Sequence, residues 1–196
     1  MDSDAGPRRA YTLRRRAAAQ EATRKRIVEA TVDLHRLVGP ARTTITAVAA
    51  RAGVQRHTVY RHFPKEAALF RACSGLFLAN HPPPDPTAWE AVGDPARRLR
   101  KGLTELYAYY AANEQMIASV LRDSEVKPVG RGFRSLQAAA AKALAKGWTR
   151  NAGSGRTRRT ALHLATDFRV WQALTAAGSL SAAQAARLMA QLLAFV

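Results

Sequence analysis

One stretch constrains this chain more than any other. From Thr43 it reads Thr-Thr-Ile-Thr-Ala-Val-Ala-Ala-Arg-Ala-Gly-Val-Gln-Arg-His-Thr-Val-Tyr-Arg-His-Phe. Thr44 or Thr46 can cap a first short helix, its hydroxyl accepting a free backbone N–H. Ala49 is small where a second helix crosses close to the first. Gly53 stands at the turn between them, where a positive φ costs least without a Cβ. Val48, Val54 and Val59 are spaced to share a small core, so a second helix from about Arg56 to Phe63 has one face to spare. That face presents Arg56, His57, Thr58 and Tyr60, flanked by Arg61 and His62. Such donors suit a helix lying in the major groove of duplex DNA.

The chain around this stretch reads as helix throughout. Ile27, Ala30, Leu34 and Val38 recur at helical spacing over a helix from about Gln20, which Gly39-Pro40 ends. Leu69, Cys73 and Leu76 line another from Lys65 to about Ala79. The run His81-Pro82-Pro83-Pro84-Asp85-Pro86 then breaks the chain. Asp94-Pro95 opens the next helix, and a further one is expected over Asn113 to about Glu125. The pattern resumes at about 131–149, 157–177 and 181–195. No segment alternates with period two. We expect an all-α chain of about nine helices in three parts. Residues 1–18 form an unstructured basic arm, 19–72 a helix-turn-helix domain, and 73–196 a helical domain.

Charge supports the same partner. Lys and Arg number 31 against 14 Asp and Glu, a net +17, which favours a polyanion. Part of the excess outside the motif reflects Arg- and Ala-rich usage of the kind a GC-rich genome encourages. No apolar run approaches the roughly 18–20 residues of a membrane span, and the N-terminus has no secretory apolar core. The single cysteine, Cys73, excludes an internal disulfide and a multi-cysteine metal site. We expect no cofactor, no metal and no membrane partner, and a cytoplasmic location.

Enzyme signatures are missing. His57 and His62 do not have the i, i+4 spacing of a zinc pair, no Gly-x-Ser-x-Gly elbow occurs, and Gly153-Ser154-Gly155 lacks the Lys-Ser/Thr of a phosphate loop.

The motif, followed by Phe63-Pro64-Lys65-Glu66-Ala67-Ala68-Leu69-Phe70, resembles the DNA-binding domain of the TetR (tetracycline-repressor-like) family over about residues 20–72. Leu106-Tyr107-Ala108-Tyr109-Tyr110, Asn113-Glu114-Gln115-Met116 and Val120-Leu121-Arg122-Asp123 are similar to that family's ligand-binding domains. Two positions depart from the pattern: His57 stands where Gly is frequent, and Gln55 where Ser or Thr usually caps the recognition helix.

The resemblance implies a homodimeric regulator that binds double-stranded DNA and answers to a small-molecule effector, most often a repressor released from a palindromic operator. Arg56, His57 and Thr58 would approach base edges, Thr44, Thr46, Tyr60, His62 and Lys65 would hold phosphates and register, and Gln55 completes the DNA-binding set at the start of the recognition helix. Trp89, Leu106, Tyr109, Tyr110, Met116, Val120, Phe168 and Trp171 would line an apolar effector cavity, with Arg122, Arg134 or Arg169 orienting an anionic group. Phe133, Leu136, Ala140, Leu144, Leu164 and Phe168 would form a dimer interface of paired helices. The competing account for these stripes is ordinary core. Arg8-Arg9 and Arg14-Arg15-Arg16 offer themselves to an adjacent minor groove or to the DNA backbone, or form a solvated tail. The alternative for the whole chain is a sequence-indifferent, charge-driven nucleic-acid binder.

Overall fold

The computed structural model describes residues 6–124, 129–147 and 154–194. Among them the fold is all-α: α1 (Gly6–Leu37), α2 (Ile45–Ala52), α3 (Arg56–His62), α4 (Glu66–Asn80), α5 (Pro86–Glu90), α6 (Pro95–Asp123), α7 (Arg131–Ala145), α8 (Ser154–Ala165), α9 (Phe168–Gly178) and α10 (Ala182–Ala194). They divide into two compact units, one ending at His81 and the other beginning at Pro82. The division expected at 72/73 thus falls later. The reason is that α4 runs unbroken to Asn80 and packs on α1.

In the first unit α1 packs against α2 and α4. Ile27, Val28, Ala30, Val48, Ala49, Ala52, Val59, Phe63 and Leu69 close the core. Burying such side chains contributes about 1.5–3 kcal/mol for each Val, Ile, Leu or Phe. Behind it, Cys73 Sγ lies 3.4 Å from His35 Nδ1, and Phe70 meets the His35 ring edge-on. Burial pushes the thiol up from 9.0 to about 12. Cys73 is therefore protonated core.

The N-terminal arm differs from expectation. Residues 6–18 are helical and continuous with α1, not unstructured. Between Arg8 and Val38 there is neither Gly nor Pro, and Ala and Arg are strong helix formers, so nothing local stops the helix where its apolar periodicity fades.

The second unit is built on α6, which contacts α5, α7 and α10. Two expected helices are joined there in one element, kinked at Asn113 (φ −126°, ψ 16°). Asn113 Nδ2 donates to the Tyr109 carbonyl at 2.9 Å, covering an acceptor that the kink withdraws from the helix ladder. The single helix expected over 157–177 is instead two. Asp167 accepts from the backbone N–H groups of Arg169 and Val170 (2.7 and 3.3 Å) and so starts α9 as an N-cap. Asp85 likewise caps the unexpected α5 by accepting from Thr87 N.

Tertiary hydrogen bonds fix these helices. Tyr107 Oη donates to Ala165 O (2.9 Å) and Tyr110 Oη to Thr166 O (2.6 Å). Trp89 Nε1 donates to Glu105 Oε2 (2.6 Å). The buried Arg98 guanidinium donates to Val92 O at 3.0 and 2.6 Å and to Lys146 O.

Candidate nucleic-acid interface

The geometry of α2 and α3 follows from their ends. Thr44 supplies the cap of α2, accepting from Ala47 N at 3.1 Å. Its hydroxyl proton stays available for donation outward. Gly53 adopts φ 64°, ψ 41° and donates back to α2, while Val54 N reaches Ala49 O at 3.0 Å. This left-handed stop turns the chain within two residues and delivers Gln55 in extended conformation to α3. Gln55 makes no side-chain cap hydrogen bond, as its departure from the Ser/Thr pattern implied. Instead, the seven residues of α3 are held by Val59, which is wholly buried, and by Phe63, whose N–H donates to Val59 O at 2.8 Å.

Anchored there, α3 leaves Arg56, His57, Tyr60 and Arg61 exposed, with Tyr60 at 47%. Thr58 is half-buried. Thr44, Thr46, Gln55 and Lys65 are exposed at the surrounding ends. His62 is half-buried, and its Nε2 is buried with no hydrogen-bond partner among the described residues, so that nitrogen is not available to a phosphate. Between Ala41 and Lys65 no side chain is acidic, against Arg42, Arg51, Arg56, Arg61 and Lys65. The surface therefore presents one sign of charge and many donors.

Not every cation points outward. Arg51 is held by Asp33 of α1, with Nε and Nη2 at 3.2 and 2.8 Å from Oδ2. It ties α2 to α1. Arg42 Nε donates to Val38 O at 2.9 Å. Arg24 of α1 lies over the Phe63 ring at 5.1 Å, beside the C-terminal end of α3. The helical periodicity of α1 singled out its apolar face and passed over this cation, although its spacing of three before Ile27 was visible.

The residues expected to hold an effector mostly form core. Trp89, Leu106, Tyr110, Phe168 and Trp171 are fully or almost fully buried in one cluster, Met116 is buried, and Tyr109 and Val120 are half-buried. Tyr110, Phe168 and Trp171 meet at centroid distances of 5.3–5.7 Å. Trp171 Nε1 is buried with no hydrogen-bond partner among the described residues. A cavity of about 390 Å³ opens between α7 and α8, lined by Arg134, Gln137, His163, Leu164 and Asp167 among others. Of the three arginines expected near an anionic group, it includes only Arg134; Arg122 pairs with Asp123 at 3.0 Å and Arg169 is exposed.

The expected dimer residues separate. Ala140, Leu144 and Phe168 are wholly buried within the protomer, and Phe133 and Leu136 are half-buried against the same cluster. Helical stripes point to both kinds of contact, and here the protomer's own core takes them. Leu164 alone of the set is exposed, at 55%. The large apolar side chains exposed with it in the second unit are Leu188 (36%) and Leu192 (52%) of α10, a helix in contact with α8. Sequence reasoning missed these two, though their i, i+4 spacing was legible.

Comparison with known proteins agrees with this geometry. The family model for bacterial regulatory proteins of the tetR family matches residues 27–73, the segment from the α1 core through the interface into α4. The fold is similar to the crystal structure of a TetR-like transcriptional regulator from Rhodococcus sp. RHA1, with a TM-score of 0.56 and 18% identity over 87% of this chain and 93% of that one. No curated protein matches the chain in sequence.

Proposed function

We propose that this chain, whose residues 27–73 match the family model for bacterial regulatory proteins of the tetR family, is a DNA-binding transcription regulator: a homodimeric repressor released from a palindromic operator by a small molecule. The observation that carries the DNA-reading part is the acid-free face of α3. Arg56 and His57 stand exposed on it, at the N-terminal end, while Val59 anchors the opposite side. Arg56 is suited to a bidentate contact with guanine O6 and N7, worth about 1–3 kcal/mol of discrimination. Thr44, Thr46, Tyr60 and Lys65 hold phosphates, which fix register and carry no sequence information themselves.

Two copies are needed because the short α3 reads few base pairs, and a two-fold dimer reads two half-sites. The pairing surface we propose is α8 with α10, through Leu164, Leu188 and Leu192. Exposed large apolar side chains gathered on adjacent helices mark an association face, and two helices from each protomer make a four-helix bundle.

The effector site we propose adjoins the Tyr110, Phe168 and Trp171 cluster. A buried indole N–H without an acceptor costs about 1–3 kcal/mol, and a ligand acceptor reaching Trp171 Nε1 would recover it. Such a ligand releases DNA only by binding the non-operator state more tightly than the operator-competent one. Action on bacterial DNA makes the cytoplasm the place of work, and no helix among the described residues is long and apolar enough to cross a membrane.

Selection from randomised duplex DNA by the purified protein at physiological salt tests the reading. A two-fold symmetric motif is expected. Enrichment of no motif, with binding that vanishes as salt rises, refutes it in favour of a charge-driven nucleic-acid coater.

A further inference from the structure

We propose that the N-terminal extension of α1 is a rigid cationic clamp that grips the phosphates of duplex DNA flanking the site read by α3. The inference rests on the DNA-binding reading above and goes beyond it in assigning a second contact surface. Four observations carry it.

The extension is helix continuous with α1 from Gly6, so its direction is set by the part of α1 packed on α2 and α4. It departs from beside the recognition helix, because Arg24 lies over Phe63 at the end of α3. Its reach from Gly6 to Arg24 is about 27 Å at 1.5 Å per residue, or roughly eight base-pair steps at 3.4 Å. Finally, residues 11–22 are all exposed among the described residues.

The chemistry selects the partner. From Gly6 to Gln20 the sequence holds Arg8, Arg9, Arg14, Arg15 and Arg16 and no acidic residue. Arg15 lies over the Tyr11 ring at 5.8 Å, and the first ion pair along the described helix is Arg24 with Glu21. Adjacent like charges repel, and a polyanion relieves that repulsion. Tyr11 and Leu13 are the large apolar side chains of residues 11–22, too few for the continuous stripe that a partner helix requires. A helix with side chains is about 10–12 Å across, wider than the roughly 6 Å minor groove. Insertion there, open to an unstructured arm, is closed to a helical one. Contact is therefore with the backbone and adds affinity without sequence preference.

The test uses the full chain on two duplexes carrying the selected motif, one trimmed to the motif and one with ten further base pairs on each side. Each neutralised phosphate contributes about 0.9 to the slope of log K against log salt. Arg14→Gln/Arg15→Gln/Arg16→Gln should make the slope on the flanked duplex shallower by about 2.7 per protomer and leave it unchanged on the trimmed one. Ala17→Gly/Ala18→Gly/Ala19→Gly, which keeps every charge but loosens the helix, should weaken binding only on the flanked duplex. An unchanged slope on the flanked duplex, or equal losses on both, overturns the clamp. So does full binding by the glycine variant, which would describe a flexible tether. Arm-dependent binding to phosphatidylglycerol vesicles with an unchanged DNA slope also overturns it and assigns the arm to a membrane surface. Arg56→Ala separates the two claims. It should weaken discrimination between motif and scrambled duplex about 5- to 150-fold per half-site while keeping the dependence on flanks. Lack of discrimination by the wild type defeats the sequence-reading claim alone.

Discussion

A Cβ added at Gly102 should destabilise the second unit, and truncating one neighbour should relieve most of the cost. Built on the α6 backbone, that Cβ falls 2.6 Å from Leu144 Cδ2 and 3.0 and 3.1 Å from Trp89 ring atoms. Carbon atoms pack best at about 3.5–4.0 Å, so the Leu144 contact is short by roughly 1 Å. Neither neighbour yields cheaply. Both are completely buried, and the Trp89 ring is tethered through Nε1 to Glu105. Overpacking of this kind costs about 1–3 kcal/mol, offset by about 1 kcal/mol of helix propensity gained when Ala replaces Gly. Gly102→Ala should therefore cost a net of up to about 2 kcal/mol. Leu144→Ala alone should cost about 2–5 kcal/mol. In that background the 2.6 Å contact is gone and the approaches to the Trp89 ring at 3.0 and 3.1 Å are left, so Gly102→Ala should cost less than in the wild type by about 1 kcal/mol. Urea unfolding followed by helix circular dichroism, at one fixed protomer concentration, measures all four corners of the cycle. The same destabilisation in both backgrounds, to within about 0.5 kcal/mol, would refute the packing argument.

Thr44→Ala should cost about 1 kcal/mol by removing the α2 cap and weaken DNA binding, and Thr44→Ser should restore both; unfolding and gel-shift titrations decide. Gly53→Ala meets no atom within 4 Å, so its cost is the left-handed backbone alone, about 1–2 kcal/mol; Gly53→Asn should cost less, and equal thermal shifts would contradict this. Leu188→Glu/Leu192→Glu should yield a folded monomer by sedimentation that no longer binds a two-half-site duplex; an intact dimer would remove α10 from the interface. Because the Cys73 thiol is raised to about 12, the unfolded chain releases its proton first as pH climbs past about 9. The unfolded state then holds fewer protons, and stability falls by up to about 1.4 kcal/mol per pH unit in that window. Cys73→Ala should flatten this decline, and the native thiol should react with a disulfide reagent only as fast as the protein opens.

The first unit was legible because each of its signals is local. Thr44 three residues before Ala47, Gly53 at the left-handed turn, and valines at 48 and 59 determine the cap, the stop and the core within a few residues of themselves. The same locality explains the exposed Arg56, His57 and Tyr60, since Val59 can be buried on so short a helix only if its neighbours face away. Where the sequence misled, a competing term had to be weighed against distance. The arm reads as unstructured by apolar periodicity, yet its uninterrupted Ala and Arg content carries the helix on. The split at Asp167 is written as a cap, but it competes with apolar spacing that runs straight through it.

The second unit was harder to read for a physical reason. A stripe of Leu, Phe and Ala on a helix records that one face is dry, not which surface dries it. Ala140 and Leu144 were assigned to a partner and turn out to serve α7 against α5 and α6, where Gly102 admits the Trp89 ring. What discriminates is what the protomer leaves over. After its own core is closed, α8 and α10 still present Leu164, Leu188 and Leu192 to water, and the aromatic cluster still holds one indole N–H without an acceptor among the described residues. Neither remainder can be computed from periodicity, because each is a difference between what a helix offers and what its neighbours accept. Association and effector binding are therefore better sought in these residues than in the stripes themselves.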